Sequence, residues 1–244
     1  MKKIFAILLL AAVTTCFTAC DDDDDKMVYD ETEARAYLMK LFTDTNGAAW
    51  RTNTKWTSPQ PISMWYGVSF DRGQLAVNLE NNRLEGMVDF SKCLSLKGLE
   101  VGMNRIPALS VQGCPNLTKL DVERALGLEQ LHVGECPMLM DLDCDGTDIK
   151  FLELRDNRAL LTLECSACPN IKQLDMTPTT GVYEIECNDC PALEVIDLSK
   201  NKALKRLSAL RCDNLKTILV WEGFKWSDYP EWKFSREPVF AVKK

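Results

Sequence analysis

Nine of the chain's eleven cysteines fall on two positions of one eleven-residue repeat, and that phase limits what the chain can fold into. From residue 74 to about 220 the pattern is L-x-x-L-x-L-x-x-(N/C)-x-x. One unit reads Leu96, Leu99, Val101, Asn104, and the next Ile106, Leu109, Val111, Cys114. The series runs on to Leu215, Ile218 and Val220 in steps of ten or eleven residues. Two units, A and B, make one coil of about 21–22 residues, and fourteen half-units give about seven coils. A repeat of this kind buries its apolar positions only by stacking, so the expected body is a single solenoid.

The sixth position of the A units carries Leu79, Val101, Val122, Cys144, Cys165, Cys187 and Ala209. Their ninth position carries Asn82, Asn104, Ala125, Thr147, Cys168, Cys190 and Cys212. The ninth position of the B units carries Cys93, Cys114, Cys136, Asn157, Thr179, Asn201 and Gly223. Apolar positions four and six flank a polar position five, which is the period of a strand. Eleven residues leave no room for a stable helix. Both halves are therefore expected as short strands or extended turns, stacked in parallel about 4.8 Å apart. Inward asparagines can bond the turn backbones, and inward cysteines act as small buried hydrophobes. The unit around Thr177, Pro178, Thr179, Thr180 and Gly181 is expected to bulge.

Two-part repeats with a column of cysteines resemble internalin-type leucine-rich repeats with a cysteine ladder, over residues 74–220. The preceding segment, 30–73, reads as a helical N-terminal cap. Ala34, Tyr37, Leu38, Leu41 and Phe42 share a helical face, with Thr32 or Asp30 able to cap its start and Gly47 at its exit. Trp50, Trp56 and Trp65-Tyr66-Gly67-Val68, leading into Leu75–Gly86, resemble the cap and first repeat of plant-type and many bacterial leucine-rich repeats. That likeness makes the three tryptophans core anchors. The fold class is thus mainly β, a leucine-rich-repeat solenoid of about seven coils between a helical and an aromatic cap. The aromatic end, 221–244, carries Trp221, Phe224, Trp226, Tyr229, Trp232, Phe234 and Phe240. It reads as a C-terminal cover ending in a strand near Val239 to Val242, or as an aromatic platform for a glycan or peptide.

The leader adds a destination. Lys2 and Lys3 precede an apolar run too short for an ordinary membrane span. Phe17-Thr18-Ala19-Cys20 resembles a bacterial lipobox, although the family usually has Leu where Phe17 stands. The resemblance implies a signal peptide over 1–19, lipidation at Cys20 and an acidic linker to residue 29. Asp21 to Asp25 resemble the surface-export signal of lipoproteins in the Bacteroidetes; read without that likeness, they are a solvated spacer. The expected location is the outer membrane, held by lipid and facing outward. Without residues 1–19 the chain keeps 27 Lys+Arg against 36 Asp+Glu, and this balance does not favour nucleic acid.

Two chemical readings fail on phase. Cys165-x-x-Cys168 and Cys187-x-x-Cys190 have the spacing of a zinc site. The same four residues are successive members of the two columns, which Cys144 and Cys212 extend, so no metal or other cofactor is expected. Parallel Cβ vectors also oppose disulfides, and reduced, buried thiols are expected. The sole histidine, His132, lies at an exposed position five of a B unit, remote in the pattern from any nucleophile. A non-catalytic chain is therefore expected.

The most informative surface is position five of the A units: Glu100, Asp121, Asp143, Glu164 and Glu186. Like charges on neighbouring strands destabilise a sheet. The row reads as a solvated face that opposes aggregation, as a docking strip for a cationic partner, or as carboxylates holding calcium. The candidate binding residues are Asp143, Glu164 and Glu186 on the presumed concave side, flanked by Tyr183, Asp145 and Asp189. The partner expected is a protein or peptide, host-derived or bacterial, bound by a monomer. The alternatives are a glycan on the C-terminal aromatics and an envelope scaffold without a ligand.

Overall fold

A computed structural model describes residues 31–243. The leader, Cys20 and the acidic linker lie outside the described residues. The helix Glu31–Asp44 opens the described chain and buries Ala34, Leu38 and Leu41, with Tyr37 and Phe42 packed at its edge. Phe42, Trp50, Trp56 and Trp65 then pack ring on ring, with neighbouring centroids 4.8 to 6.0 Å apart. The indole N–H groups of Trp50 and Trp56 donate to the carbonyls of Thr45 and Tyr66, both at 2.9 Å. These tryptophans are core, as expected. The glycine of the W-x-G-V motif is required by the turn: Gly67 has φ +74°, and a Cβ there would lie 2.2 Å from the Asn78 carbonyl oxygen.

From that cap the chain winds into a two-sided β-solenoid. Side A is one continuous sheet of nine strands. Its first strand, Val68–Asp71, runs antiparallel to Gln74–Asn78. The rest are parallel: Gln74–Asn78, Leu96–Glu100, Lys119–Asp121, Asp141–Asp143, Thr162–Glu164, Glu184–Glu186, Arg206–Ala209 and Trp232–Phe234. Eight parallel strands make eight coils. The expected seven are joined by one more, because Trp232–Phe234 and Val239–Val242 extend both sides. The aromatic end therefore continues the stack as well as covering it.

Side B is less regular. It forms a sheet of three strands (Val88–Asp89, Ala108–Ser110, Gln130–His132) and a sheet of four (Gln173–Asp175, Val195–Asp197, Thr217–Val220, Val239–Val242). A single bridge joins His132 to Glu153, and among the described residues no pairing joins Glu153 to Asp175. The expected bulge at 177–181 is corrected by this result. That unit stays in register with the next coil through Gln173–Asp175, and Thr179 is fully buried. The irregularity is a parting between coils. Pro178 contributes on the other flank, since it lacks the N–H that its equivalents Glu135 and Ala167 donate to the following coil at 2.7 Å.

The repeat positions behave as one core. Positions one, four, six and nine are buried along the stack, for example Leu96, Leu99, Val101 and Asn104. The ninth position closes each turn. Asn104 is nearly inaccessible and makes five hydrogen bonds. It donates to the carbonyls of Leu79, Val101 and Gly102 and accepts from the N–H groups of Asn82 and Leu84. Cysteine imitates the first of these bonds. Just as Asn104 reaches back to Leu79 O, Cys114 Sγ reaches Phe90 O at 3.0 Å, Cys136 reaches Val111 O at 3.1 Å and Cys212 reaches Cys187 O at 2.9 Å. The ladder cysteines are thus weak donors as well as small hydrophobes. All nine are free thiols.

Candidate functional site

Parallel pairing in steps of one coil turns each strand position into a row along the solenoid. Side A registers Asn78 with Glu100, Glu100 with Asp121, Asp121 with Asp143, Asp143 with Glu164, and Glu164 with Glu186. Five carboxylates on five consecutive strands therefore stand in one row, as position five implied. Two residues further on, the chain sets a second row that includes Glu123 and Asp145.

The fold itself accounts for part of this row. Asp121 and Asp143 each accept, through Oδ1, the N–H of the residue two positions on, Glu123 and Asp145, at 3.0 Å. Asn78 does the same for Glu80 at 3.2 Å. A short polar side chain at position five thus fastens the turn that leaves the strand. From Asp145 onward the fastening moves to the second row. Asp145 Oδ1 accepts the N–H of Ser166, Ser166 Oγ accepts that of Asn188, and Asn188 Oδ1 accepts that of Leu210. The longer Glu164 and Glu186 are left out of this relay. Among the described residues, neither carboxylate takes part in a hydrogen bond or an ion pair.

Cations sit at the ends of the face. Lys119 Nζ is 2.8 Å from Glu100, and Arg206 bridges Glu184 at 2.9 Å and Glu231 at 3.0 Å. The middle of the row is half-buried and lacks such neutralisation. Burial pushes the Asp143 carboxyl up to about 8, and the charges of Asp121, Asp145 and Glu164 add to the push. Glu164 is raised to about 7 by burial and by Asp145 and Glu186; Asp145 is raised to about 6, mainly by burial. Burial also raises Asp121 and Asp141. One carboxylate oxygen from each of Asp143, Asp145 and Glu164 lies within 4.8 Å of the others. By donor type, these three are the residues that could approach a hard cation.

The remaining candidates separate. Tyr183 is not inside the acidic row. It lies three residues before Glu186 at the edge of the sheet, where its ring faces the Arg206 guanidinium at 5.5 Å. Asp189 is an exposed turn residue with φ 58°, and its carboxylate pairs with Arg211, which lowers its pKa. Glu184 belongs to the face, although attention to position five alone passed over it. The C-terminal aromatics pack largely on one another, with Phe224 against Trp221, Tyr229, Trp232 and Phe240 at 5.1 to 5.6 Å. Trp232 is buried, while Trp226 is about one-third exposed beside it. The thiols of Cys165, Cys168, Cys187 and Cys190 stand in the two columns. Cys168 and Cys190 point at the carbonyls of Cys144 and Cys165. His132 lies on side B, beside Ser110 and Glu153.

No family model matches the chain, and no curated protein matches it. Among solved structures it is similar to the functional domain of InlJ from Listeria monocytogenes, which includes a cysteine ladder, at 14% identity and a TM-score of 0.37. The similarity covers 69% of this chain and 53% of that chain, so the matched part spans about half of that structure. The described residues form a two-sided β-solenoid with a helix at its N-terminal end and an aromatic cluster at its C-terminal end.

Proposed function

We propose that this chain is a non-catalytic binding protein whose side A takes a cationic protein or peptide, and that lipid on Cys20 holds it at the cell surface. The observation that carries the binding reading is the pair Glu164 and Glu186. They stand side by side in the row without a hydrogen bond or ion pair among the described residues, so turn formation explains the aspartates but not these glutamates. Stacked like charges cost stability. A partner that supplies positive charge would relieve that cost and be steered to the face. The surface-display reading is supported by the lipobox-like Phe17–Cys20 and the acidic run behind it.

The test uses a fluorescent Lys-rich peptide and an acidic control, each titrated at pH 8.5, where Asp143 and Glu164 are ionised, into the purified protein as NaCl is raised. The cationic peptide should bind, with affinity falling as salt screens the face. Asp143→Asn, Glu164→Gln and Glu186→Gln together should weaken it roughly tenfold or more while the fold persists. Undiminished binding to a folded triple variant would remove the face from the proposal.

A further inference from the structure

The acidic row shares its three middle coils with an apolar one. The N–H of Leu161 donates to Met140 O, and the N–H of Tyr183 donates to Leu161 O, both at 2.9 Å. Met140, Leu161 and Tyr183 therefore stand one above another at the edge of side A. They are 39%, 41% and 38% exposed. Each lies three residues before a member of the row, which are Asp143, Glu164 and Glu186 in turn. The apolar row is bounded by Thr118 and Lys205, whose N–H and O groups continue the same backbone ladder. Large apolar residues exposed elsewhere, such as Phe151 on side B, need no partner when they stand singly. Three in register beside unneutralised carboxylates form a two-part surface.

We propose that this surface binds a basic amphipathic helix laid along the solenoid axis. Its apolar stripe rests on Met140, Leu161 and Tyr183, and its Lys and Arg side chains reach Asp143, Glu164 and Glu186. The proposal rests on the cation-binding reading of side A and specifies the partner's shape. Pitch is the first reason. Coils repeat about every 4.8 Å and helix turns every 5.4 Å, so the mismatch across three coils is only about 1 Å. An extended segment repeats like-facing side chains about every 6.7 Å and loses register by about 2 Å per coil. Width is the second. Three residues of strand separate the two rows by about 10 Å, which is the diameter of a helix with its side chains. One helix can then touch both rows with opposite flanks. Charge is the third, because among the described residues Asp143, Glu164 and Glu186 have no cationic partner, whereas Glu100 further along the row has Lys119.

The experiment compares two fluorescent synthetic peptides of identical Leu and Lys content. One segregates Leu to a single helical face; the other has the order shuffled so that both residues surround the helix. Each is titrated into the full chain at pH 8.5, above the values to which Asp143 and Glu164 are raised, at low salt in EDTA. The segregated peptide should bind about tenfold tighter and gain helical circular dichroism on binding. Leu161→Ser with Tyr183→Ser should erase that preference; Met140→Ser alone should reduce it, and serves if the double variant does not fold. Equal binding of both peptides would overturn the helix proposal and leave the cation-binding reading standing. Binding of neither would overturn both. A preference that survives in a folded double variant would also overturn the proposal, because it would lie elsewhere on the molecule.

Discussion

Asp143→Asn should stabilise this protein above neutral pH, and the gain should vanish in acid. The Asp143 carboxyl is raised from an ordinary 3.8 to about 8, first by burial and then by the neighbouring charges. The sign follows from which state binds more protons. Between about pH 4 and pH 8 the folded chain keeps a proton that the unfolded chain has lost, so this group's contribution is complete at low pH and is lost as pH rises through 8. A shift of about four units at about 1.4 kcal/mol each sets a ceiling of roughly 6 kcal/mol. Asp143 is only half-buried, and solvent screening reduces this to about 2 kcal/mol. The asparagine keeps the Oδ1 that accepts the Asp145 N–H, just as Asn78 serves Glu80 in the same row. Urea unfolding of both proteins at pH 5 and pH 8.5 provides the assay. The variant should gain about 1–2 kcal/mol on the wild type between the two conditions. A parallel pH dependence in the two proteins, or a variant less stable at pH 8.5, would refute the claim that burial and like charge together strain an ionised Asp143.

Asn104→Ala should cost about 3–5 kcal/mol in urea unfolding, because it removes five hydrogen bonds from one buried turn; a loss below about 1 kcal/mol would mean that the turn closes without it. Thiol titration after unfolding without reductant should find the nine described thiols free, and the folded protein should react slowly because burial raises Cys93 to about 11 and holds Cys165 and Cys187 high, while the hydrogen bond with Cys168 and then burial hold Cys144 high. Cys212 should be the first ladder thiol to react, since it is the most exposed of the nine at 7% and its hydrogen bond with Cys190 lowers its pKa; a uniform rate would contradict that pairing. Cys20→Ala should move the protein from the membrane fraction to the soluble one, and retention in membranes would dismiss the lipid anchor.

The rows of this solenoid were legible because parallel stacking converts sequence phase directly into neighbours. Once the period was known, Asp143, Glu164 and Glu186 had to adjoin, and they do. The same logic placed the cysteine columns, whereas the buried tryptophans were legible only from a likeness to known caps. It failed where phase is silent. Met103, Ala167 and Arg211 adopt left-handed φ of 54°, 53° and 56° in equivalent turns, although none is a residue that favours that region. The stacked ladder imposes the conformation, so no local signal announces it. The parting on side B escaped for a related reason: the apolar phase of Leu152 and Leu154 is intact, and only the pairing is lost. The eighth coil was hidden because the step from Ala209 to its partner Phe234 is twenty-five residues, longer than the repeat.

The position of Tyr183 refines the shape of the candidate site. Counting from Glu186 puts the ring near the acidic row, but strand geometry puts it three residues back, at the sheet edge and against Arg206. There it belongs with Leu161 and Met140, two residues that the sequence offers only as unremarked positions at the end of a loop. The fold needs neither row in its present form. Threonine and lysine occupy the apolar row's positions on adjoining coils, at Thr118 and Lys205, while Asn78 and Ser208 occupy the acidic row's positions. Those polar alternatives sit in the same solenoid and keep its register. Two departures, apolar at one edge and unneutralised acid at the other, coincide on three consecutive coils in the middle of side A. Turn formation accounts for Asp143 but not for Glu164, Glu186 or the apolar row beside them, and like charge and exposed apolar surface both oppose stability. A ligand that spans three coils and presents an apolar and a basic flank supplies the reason.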